Sequence, residues 1–206
     1  MKVMLLNGSP HDKGCTARAL SEIAATLEEN GVESEIFNIG SWPVGGCTAC
    51  GACRKAGKCV YNDVCNQFTA KMAECDGIVV GTPVYYASPN GSLIALLDRA
   101  FYSAGRVFAK KPAAAVASAR RAGTTASLDV ITKYFTINGM PVVSSSYWNM
   151  VHGFTAGDVE KDTEGLQTMR NLARNMAWVL KCIEAGKAAG VEPPEDEKGN
   201  RTNFIR

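Results

Sequence analysis

Apolar residues first gather at Val3–Leu6, a short run with no polar residue inside it. That length and uniformity predict a parallel strand covered on both faces. Gly8, Ser9, Pro10 and Gly14 break the run and supply turn geometry. The period then changes. Ala17, Ala19, Leu20, Ile23, Ala24 and Leu27 fall on one side of a helix predicted over about Gly14–Asn30, with Asn30-Gly31 as its stop. Glu33–Asn38 predicts a second strand, and Gly40–Asn62 reads as a long irregular segment. A helix follows over about Asp63–Glu74, with Asp63 as cap, and then a third strand at Ile78–Gly81. Thr82–Ser92 is a second strand-end loop, rich in Pro, Gly and aromatics, in which Asn90-Gly91-Ser92 starts a helix running to about Ser103. Ala113–Ser118 predicts a fourth strand, Thr124–Asn138 a helix and Met140–Ser144 a fifth strand. Ser145–Asp158 reads as irregular, Thr163–Ala185 as the last long helix, and 188–206 as an extended C-terminal tail.

Strands that alternate with helices define an α/β fold, here a doubly wound five-stranded parallel sheet with helices on both faces. Right-handed crossovers place every strand-end loop on one edge of the sheet, where ligands bind. Residues 1–187 read as one domain carrying a cysteine-rich loop at 45–62. The first loop directs backbone N–H groups and the positive end of a helix at one spot, and Ser9 and Thr16 add hydroxyls. That is an anion site. No Gly-Lys-Ser/Thr follows the glycines, and G-x-G-x-x-G is absent, so neither a Walker loop nor a dinucleotide fingerprint is present. Neutral donors without a lysine suit a single phosphate monoester, such as the one FMN carries. An ordinary, well-capped strand–helix connection is the other reading of the loop taken alone.

The chain has 206 residues, enough for one sizeable core, and a net charge of +2, which gives no reason to expect nucleic acid or an anionic membrane as partner. Met1-Lys2 leads straight into a strand with no signal-peptide pattern, so a cytoplasmic protein is expected.

Eight cysteines change the picture, because five of them lie between Cys47 and Cys65. Disulfides are not expected in a reducing compartment. Cys47, Cys50, Cys53 and Cys59 give C-x2-C-x2-C-x5-C, with glycines that let the backbone fold tightly between thiolates. Four thiolates suit a [4Fe–4S] cluster. They also suit zinc, although zinc sites usually set two C-x2-C pairs further apart, so the compact run favours iron. Cys65, Cys75 and Cys182 fall at helical positions and read as small core residues.

With these loops in place, the chain resembles the flavodoxin-like NADPH-dependent FMN reductases, and more closely their iron-sulfur flavoprotein branch. The resemblance rests on Gly8-Ser9-Pro10 with Gly14 and Thr16, on Gly81-Thr82-Pro83-Val84-Tyr85-Tyr86, on Leu97-Asp98-Arg99 and on the cysteine run, and covers about Lys2–Leu180. It implies a flavodoxin-like fold and a flavin-dependent oxidoreductase. Ser9, Pro10, His11, Gly14, Cys15 and Thr16 would hold the FMN phosphate. Pro83, Val84, Tyr85, Tyr86 and Ala87 would run along the isoalloxazine. Ser118, Ala119, Arg120, Arg121 and Gly123 would close its other side. Cys15 departs from the amide or hydroxyl residue usual in related loops. Arg120-Arg121 stand where glycines are usual, and would instead attract an acidic substrate or the phosphates of NAD(P)H. The implied chemistry is electron transfer between FMN and a cluster on Cys47, Cys50, Cys53 and Cys59, with NAD(P)H as a reductant and a ferredoxin, a quinone or another small acceptor outside. Two alternatives stay open: a clusterless NAD(P)H-dependent FMN or quinone reductase, and a flavodoxin-type electron carrier, against which the charge of +2 counts. The resemblance also implies a homodimer or homotetramer. His152 reads as structural, and Asp98-Arg99 as an ion pair or subunit contact.

Overall fold

The computed structural model describes residues 1–197, 199, 200, 202 and 204. Its spine is a parallel sheet. Strand β1 (Lys2–Asn7) lies between β2 (Glu33–Asn38) and β3 (Gly77–Tyr85), with β5 (Ala113–Ala119) and β6 (Met150–His152) continuing beyond β3. The register pairs Val3 with Ser34 on one side and with Gly77 on the other. The order reverses between β1 and β3, which opens the crevice of a doubly wound sheet at their carboxyl ends. Among the described residues these five strands form the expected parallel sheet, and a two-residue strand, β4 (Ser88–Pro89), folds back antiparallel on the end of β3 as a sixth.

Both faces are covered, as the unbroken apolar strands required. On one face Met4, Leu6, Ile78 and Val80 pack against α3 (Val64–Ala73), α4 (Gly91–Phe108) and α5 (Thr124–Ile137), through Phe68, Leu97, Phe108 and Phe135. On the other face Val3, Leu5, Val79 and Val116 meet α1 (Cys15–Glu29) and α7 (Thr163–Ala188), through Leu20, Ile23, Met169 and Met176. Each such side chain contributes about 1.5–3 kcal/mol by leaving water. Two short helices, α2 (Cys53–Ala56) and α6 (Ala156–Val159), complete the elements among the described residues. The first of them stands inside the segment read as irregular.

The fifth parallel strand is not where the pattern put it. Met140–Ser144 makes only one bridge, Val142 to Ala113, and the strand is Met150–His152 inside the segment read as irregular. The apolar run Met140–Val143 does start along β5, since Ala113 N donates to Pro141 O and Val143 N to Ala113 O. The chain then leaves the ladder and rejoins it at Asn149, whose carbonyl accepts from Ala117 N. Between these points the Asn149 side-chain amide donates to Ala115 O at 3.0 Å, taking the place of a backbone rung. Tyr147 and Trp148 stand exposed on the bulged stretch, edge to face at 4.8 Å.

Other boundaries shift for simple reasons. Strand β3 runs on through Thr82 to Tyr85, because Pro83 pairs in register with Ser118 and needs no N–H of its own there. Helix α4 continues to Phe108 across a non-helical residue at Ala104. Cys65 and Cys75 are core residues as expected, but Cys182 is exposed on α7. Helix α7 reaches Ala188, and part of the expected tail, at 198, 201, 203, 205 and 206, lies outside the described residues. No described helix is long and apolar enough to cross a membrane.

Candidate functional site

Asn7, at the end of β1, organises the first loop. It is fully buried, and its Oδ1 accepts from Ser9 N at 3.1 Å. Its Nδ2 donates to His11 O and, across to β2, to Asn38 Oδ1. Ser9 Oγ in turn accepts from His11 N at 3.1 Å. The loop is therefore shaped by its own short polar side chains. Gly14 is the residue before α1, and no side chain caps that helix. Its first-turn N–H groups thus keep donors that an anion can take. His11 enters through its backbone, while its imidazole is exposed. Pro10 is half-buried between them.

Cross-ties bring the three strand-end loops together. Thr16 Oγ1 and Ser118 Oγ, both buried, lie 2.8 Å apart. Asn90 Nδ2 donates to Gly8 O at 2.9 Å, and Asn90 N donates to Thr82 Oγ1 at 3.0 Å. The same residue caps α4, since its Oδ1 accepts from Ser92 N. Gly8 has no room for a side chain: a Cβ there would sit 2.7 Å from Gly81 O and 2.5 Å from Leu93 Cδ2. Gly123, at φ 93°, packs on the second loop so closely that a Cβ would lie 2.6 Å from Ala87 Cα.

The second loop is a tight hairpin. Tyr85 pairs with Ser88, and Tyr86 and Ala87 between them have φ of 50° and 59°. Two left-handed residues in succession match the twist of a two-residue hairpin, at a cost of about 1 kcal/mol or more each for residues with a Cβ. The hairpin carries Tyr85 and Tyr86 exposed beside half-buried Pro83 and Val84. In the third loop Ser118 and Ala119 are buried and Arg120 and Arg121 exposed, with the Arg120 guanidinium 5.9 Å from the centre of the Phe154 ring. Cys15 is half-buried, its sulfur 3.6 Å from Gly153 O, and burial pushes its thiol up. His152 sits on β6, its backbone N–H donating to Asp162 at 2.6 Å.

The cysteines form a second place. Cys47, Cys50, Cys53 and Cys59 all line one small cleft, together with Tyr61, Arg99 and Tyr102. Cys47 and Cys50 are exposed, Cys53 and Cys59 half-buried. Among the described residues no three His, Cys, Asp or Glu side chains are drawn together closely enough to hold a metal ion. Cys59 is the most firmly held: Asn66 accepts from its N–H and donates to its carbonyl, at 3.0 and 2.9 Å. Asp98 and Arg99 are not paired with each other. Asp98 accepts from the Tyr134 hydroxyl, and Arg99, whose side chain is 1% exposed, forms a two-pronged pair with Asp63 at 2.7 and 2.8 Å. That bond holds the Asp63 carboxyl below its usual range and raises the Arg99 guanidinium.

Asn7, Asn66 and Asn90 carry much of this architecture and none was singled out for it in the sequence. Asn90 alone left a signal, as the Asx residue opening a helix.

A parallel sheet with strand order reversed between β1 and β3, and three cross-tied loops at that point, defines a flavodoxin-like protein. An archaeal flavodoxin superimposes with a TM-score of 0.62 at 15% identity, over 88% of this chain and 99% of that one. The chain belongs to the NADPH-dependent FMN reductase family, whose profile matches residues 1–155. An iron-sulfur flavoprotein of Methanocaldococcus jannaschii is 32% identical over 89% of this chain and 100% of its own length. An iron-sulfur flavoprotein of Methanosarcina thermophila is 31% identical over 91% of this chain and 99% of its own. The family is one of flavin-dependent oxidoreductases.

Proposed function

We propose that the protein binds FMN in the three-loop cradle and moves electrons between that flavin and a [4Fe–4S] cluster on Cys47, Cys50, Cys53 and Cys59, or a small acceptor. The single observation that carries the reading is the cross-tying of Gly8, Thr16, Asn90, Ser118 and Gly123 around the uncapped end of α1. That donor set is neutral and closed to a side chain at Gly8, which suits a phosphate monoester. When bound, FMN would take two electrons and a proton from reduced nicotinamide and release the electrons one at a time or together.

The chain's own residues bind and orient. The amides of Cys15 and Thr16, with the hydroxyls of Ser9 and Thr16, would meet the phosphate. Pro83, Val84, Tyr85, Tyr86 and Ala87 would flank the ring from one side, and Ser118, Ala119 and Gly123 from the other. Arg120 and Arg121, free to reach outward, would draw NAD(P)H phosphates or an acidic acceptor. Helix α4 links the cradle to the cysteine cleft: Asn90 caps it at one place, and Arg99 stands about 13 Å further along its axis at the other. The relatives' names and the four thiols on one cleft support iron. A ferredoxin or a quinone would suit as partner.

The exposure of Cys47 and Cys50, with no three ligands gathered among the described residues, favours a second reading: a clusterless NAD(P)H-dependent FMN or quinone reductase. Exposed Trp42, Tyr147, Trp148 and Phe154 support a homodimer or homotetramer in either case.

The test is FMN titration of the pure protein, beside iron, sulfide and zinc content after anaerobic purification. Uptake of FMN with matching iron and sulfide supports the first reading. FMN with neither iron nor sulfide leaves the second. A protein that takes up no FMN overturns both.

A further inference from the structure

Among the described residues Arg99 is the largest fully buried side chain, and its charge needs only one carboxylate. Asp63 supplies that with two hydrogen bonds. The guanidinium nevertheless spends its other donors on the cysteine loop. Nε donates to Cys59 Sγ at 3.2 Å, Nη1 to Gly45 O at 3.2 Å, and Nη2 to Tyr61 O at 3.4 Å. Gly45 and Tyr61 stand at the two ends of the segment that carries all four thiols. The guanidinium also lies 5.3 Å from the centre of the Tyr61 ring. Asp63 is itself fixed, because it caps α3 by accepting from Cys65 N.

We propose that Arg99 is a positioning residue for the cysteine centre: its Nε–H orients Cys59 Sγ and raises the reduction potential of the cluster that the four cysteines would hold. The inference rests on the cluster reading above. Hydrogen bonds to ligand sulfur draw electron density from it and favour the reduced, more negative form, so they set potentials upward. Held as it is by Asp63, the donor cannot swing away when the sulfur changes charge. Lysine could replace the charge but not the fork, since one ammonium cannot meet both the carboxylate and the sulfur.

Two variants separate the hydrogen bond from the charge. Arg99→Lys keeps the positive charge and removes Nε–H. Arg99→Met combined with Asp63→Asn removes both charges, so the local balance is again unchanged. Both are made anaerobically, with FMN uptake as the measure of an intact fold, because Arg99 lies outside the flavin cradle. Iron and sulfide are counted, and the midpoint potential is read by spectroelectrochemical titration. In the parent protein, deuterium exchange followed by electron–nuclear double resonance on the reduced centre looks for an exchangeable proton near a ligand sulfur. The expected result is such a proton in the parent and a more negative potential in both variants at unchanged FMN uptake. An unchanged potential at full iron overturns the inference and leaves the cluster standing, as does a parent with no exchangeable proton. Partial loss of iron with an unaltered potential in what remains shows a structural role only, and also overturns it. A parent protein without iron and sulfide overturns the inference and the cluster reading together.

Discussion

Thr16 and Ser118 share a hydrogen bond of 2.8 Å in the buried floor between the first and third strand-end loops. Thr16 is also in the first turn of α1, where its N–H has no helical partner. One residue thus opens the helix and ties two loops. Thr16→Val keeps the shape, removes the hydroxyl and leaves Ser118 Oγ buried without its partner. Hydrogen bonds to a charged group contribute about 1.5–3 kcal/mol, so FMN should bind about tenfold to a hundredfold more weakly. Adding Ser118→Ala should recover part of the stability lost by Thr16→Val, because no orphaned hydroxyl remains, but not the FMN affinity. Flavin fluorescence titration and urea unfolding read the two effects separately.

Asn90 makes three bonds with one side chain and its own N–H: to Gly8 O, to Thr82 Oγ1 and from Ser92 N. Asn90→Ala should cost about 2 kcal/mol, from a lost cap and an orphaned Gly8 carbonyl, and weaken FMN by loosening the first loop. Asn90→Asp keeps the cap and loses the donation to Gly8. It should therefore recover stability more than affinity. Comparing urea midpoints with FMN affinity across the pair checks this.

Those residues also show what the sequence could and could not disclose. The order of elements, both faces of the sheet and the three loops follow from apolar runs, turn residues and helical periods, which are local. Glu33–Asn38 and the Asp63 cap were legible to the residue. The fifth strand was not, because its ladder is interrupted: the apolar stretch Met140–Val143 makes the first contacts, and the paired strand begins only at Met150. The hairpin after β3 was hidden by Pro83 and Pro89, which read as loop residues although both sit in paired positions. Asn7, Asn66 and the true partner of Arg99 act through residues distant in sequence, so nothing local marks them. Adjacent Asp98 and Arg99 point to different partners because neighbours on a helix do not face each other.

The Asp63–Arg99 pair makes stability depend on pH in one direction. The folded-state carboxyl is held below its unfolded value by the Arg99 guanidinium. A depressed carboxyl stabilises the fold above the unfolded value, about 3.9, and that contribution fades as pH falls through the folded value. Asp63→Asn retains a cap oxygen for α3 but leaves the buried guanidinium without an anion. At pH 7 the variant should be less stable by about 2 kcal/mol, less than for a fully buried pair because the carboxylate is 40% exposed. The gap should narrow steadily between about pH 5 and pH 3. Urea midpoints of parent and variant at several pH values provide the check, and a gap that does not change with pH would contradict it.

Thiol reactivity distinguishes the cysteines by place. Cys65 is buried, which pushes its thiol up to about 11, and burial raises that of Cys75 as well. A thiol that is both buried and protonated does not attack an alkylating reagent. Cys47, Cys50 and Cys182 are exposed. Alkylation of metal-free, reduced protein at about pH 8, read by peptide mass spectrometry, should label these three quickly and reach Cys65 and Cys75 only after unfolding. Protein purified without air adds a second comparison. Ligation by a cluster would remove the thiolates of Cys47 and Cys50 from reaction and leave Cys182, which is on α7 and does not line the cleft, as reactive as before. Cys182 therefore serves as an internal standard within the same molecule. If Cys47 and Cys50 label as fast as Cys182 in the anaerobic protein, four-thiolate ligation fails and the clusterless flavin reductase takes its place.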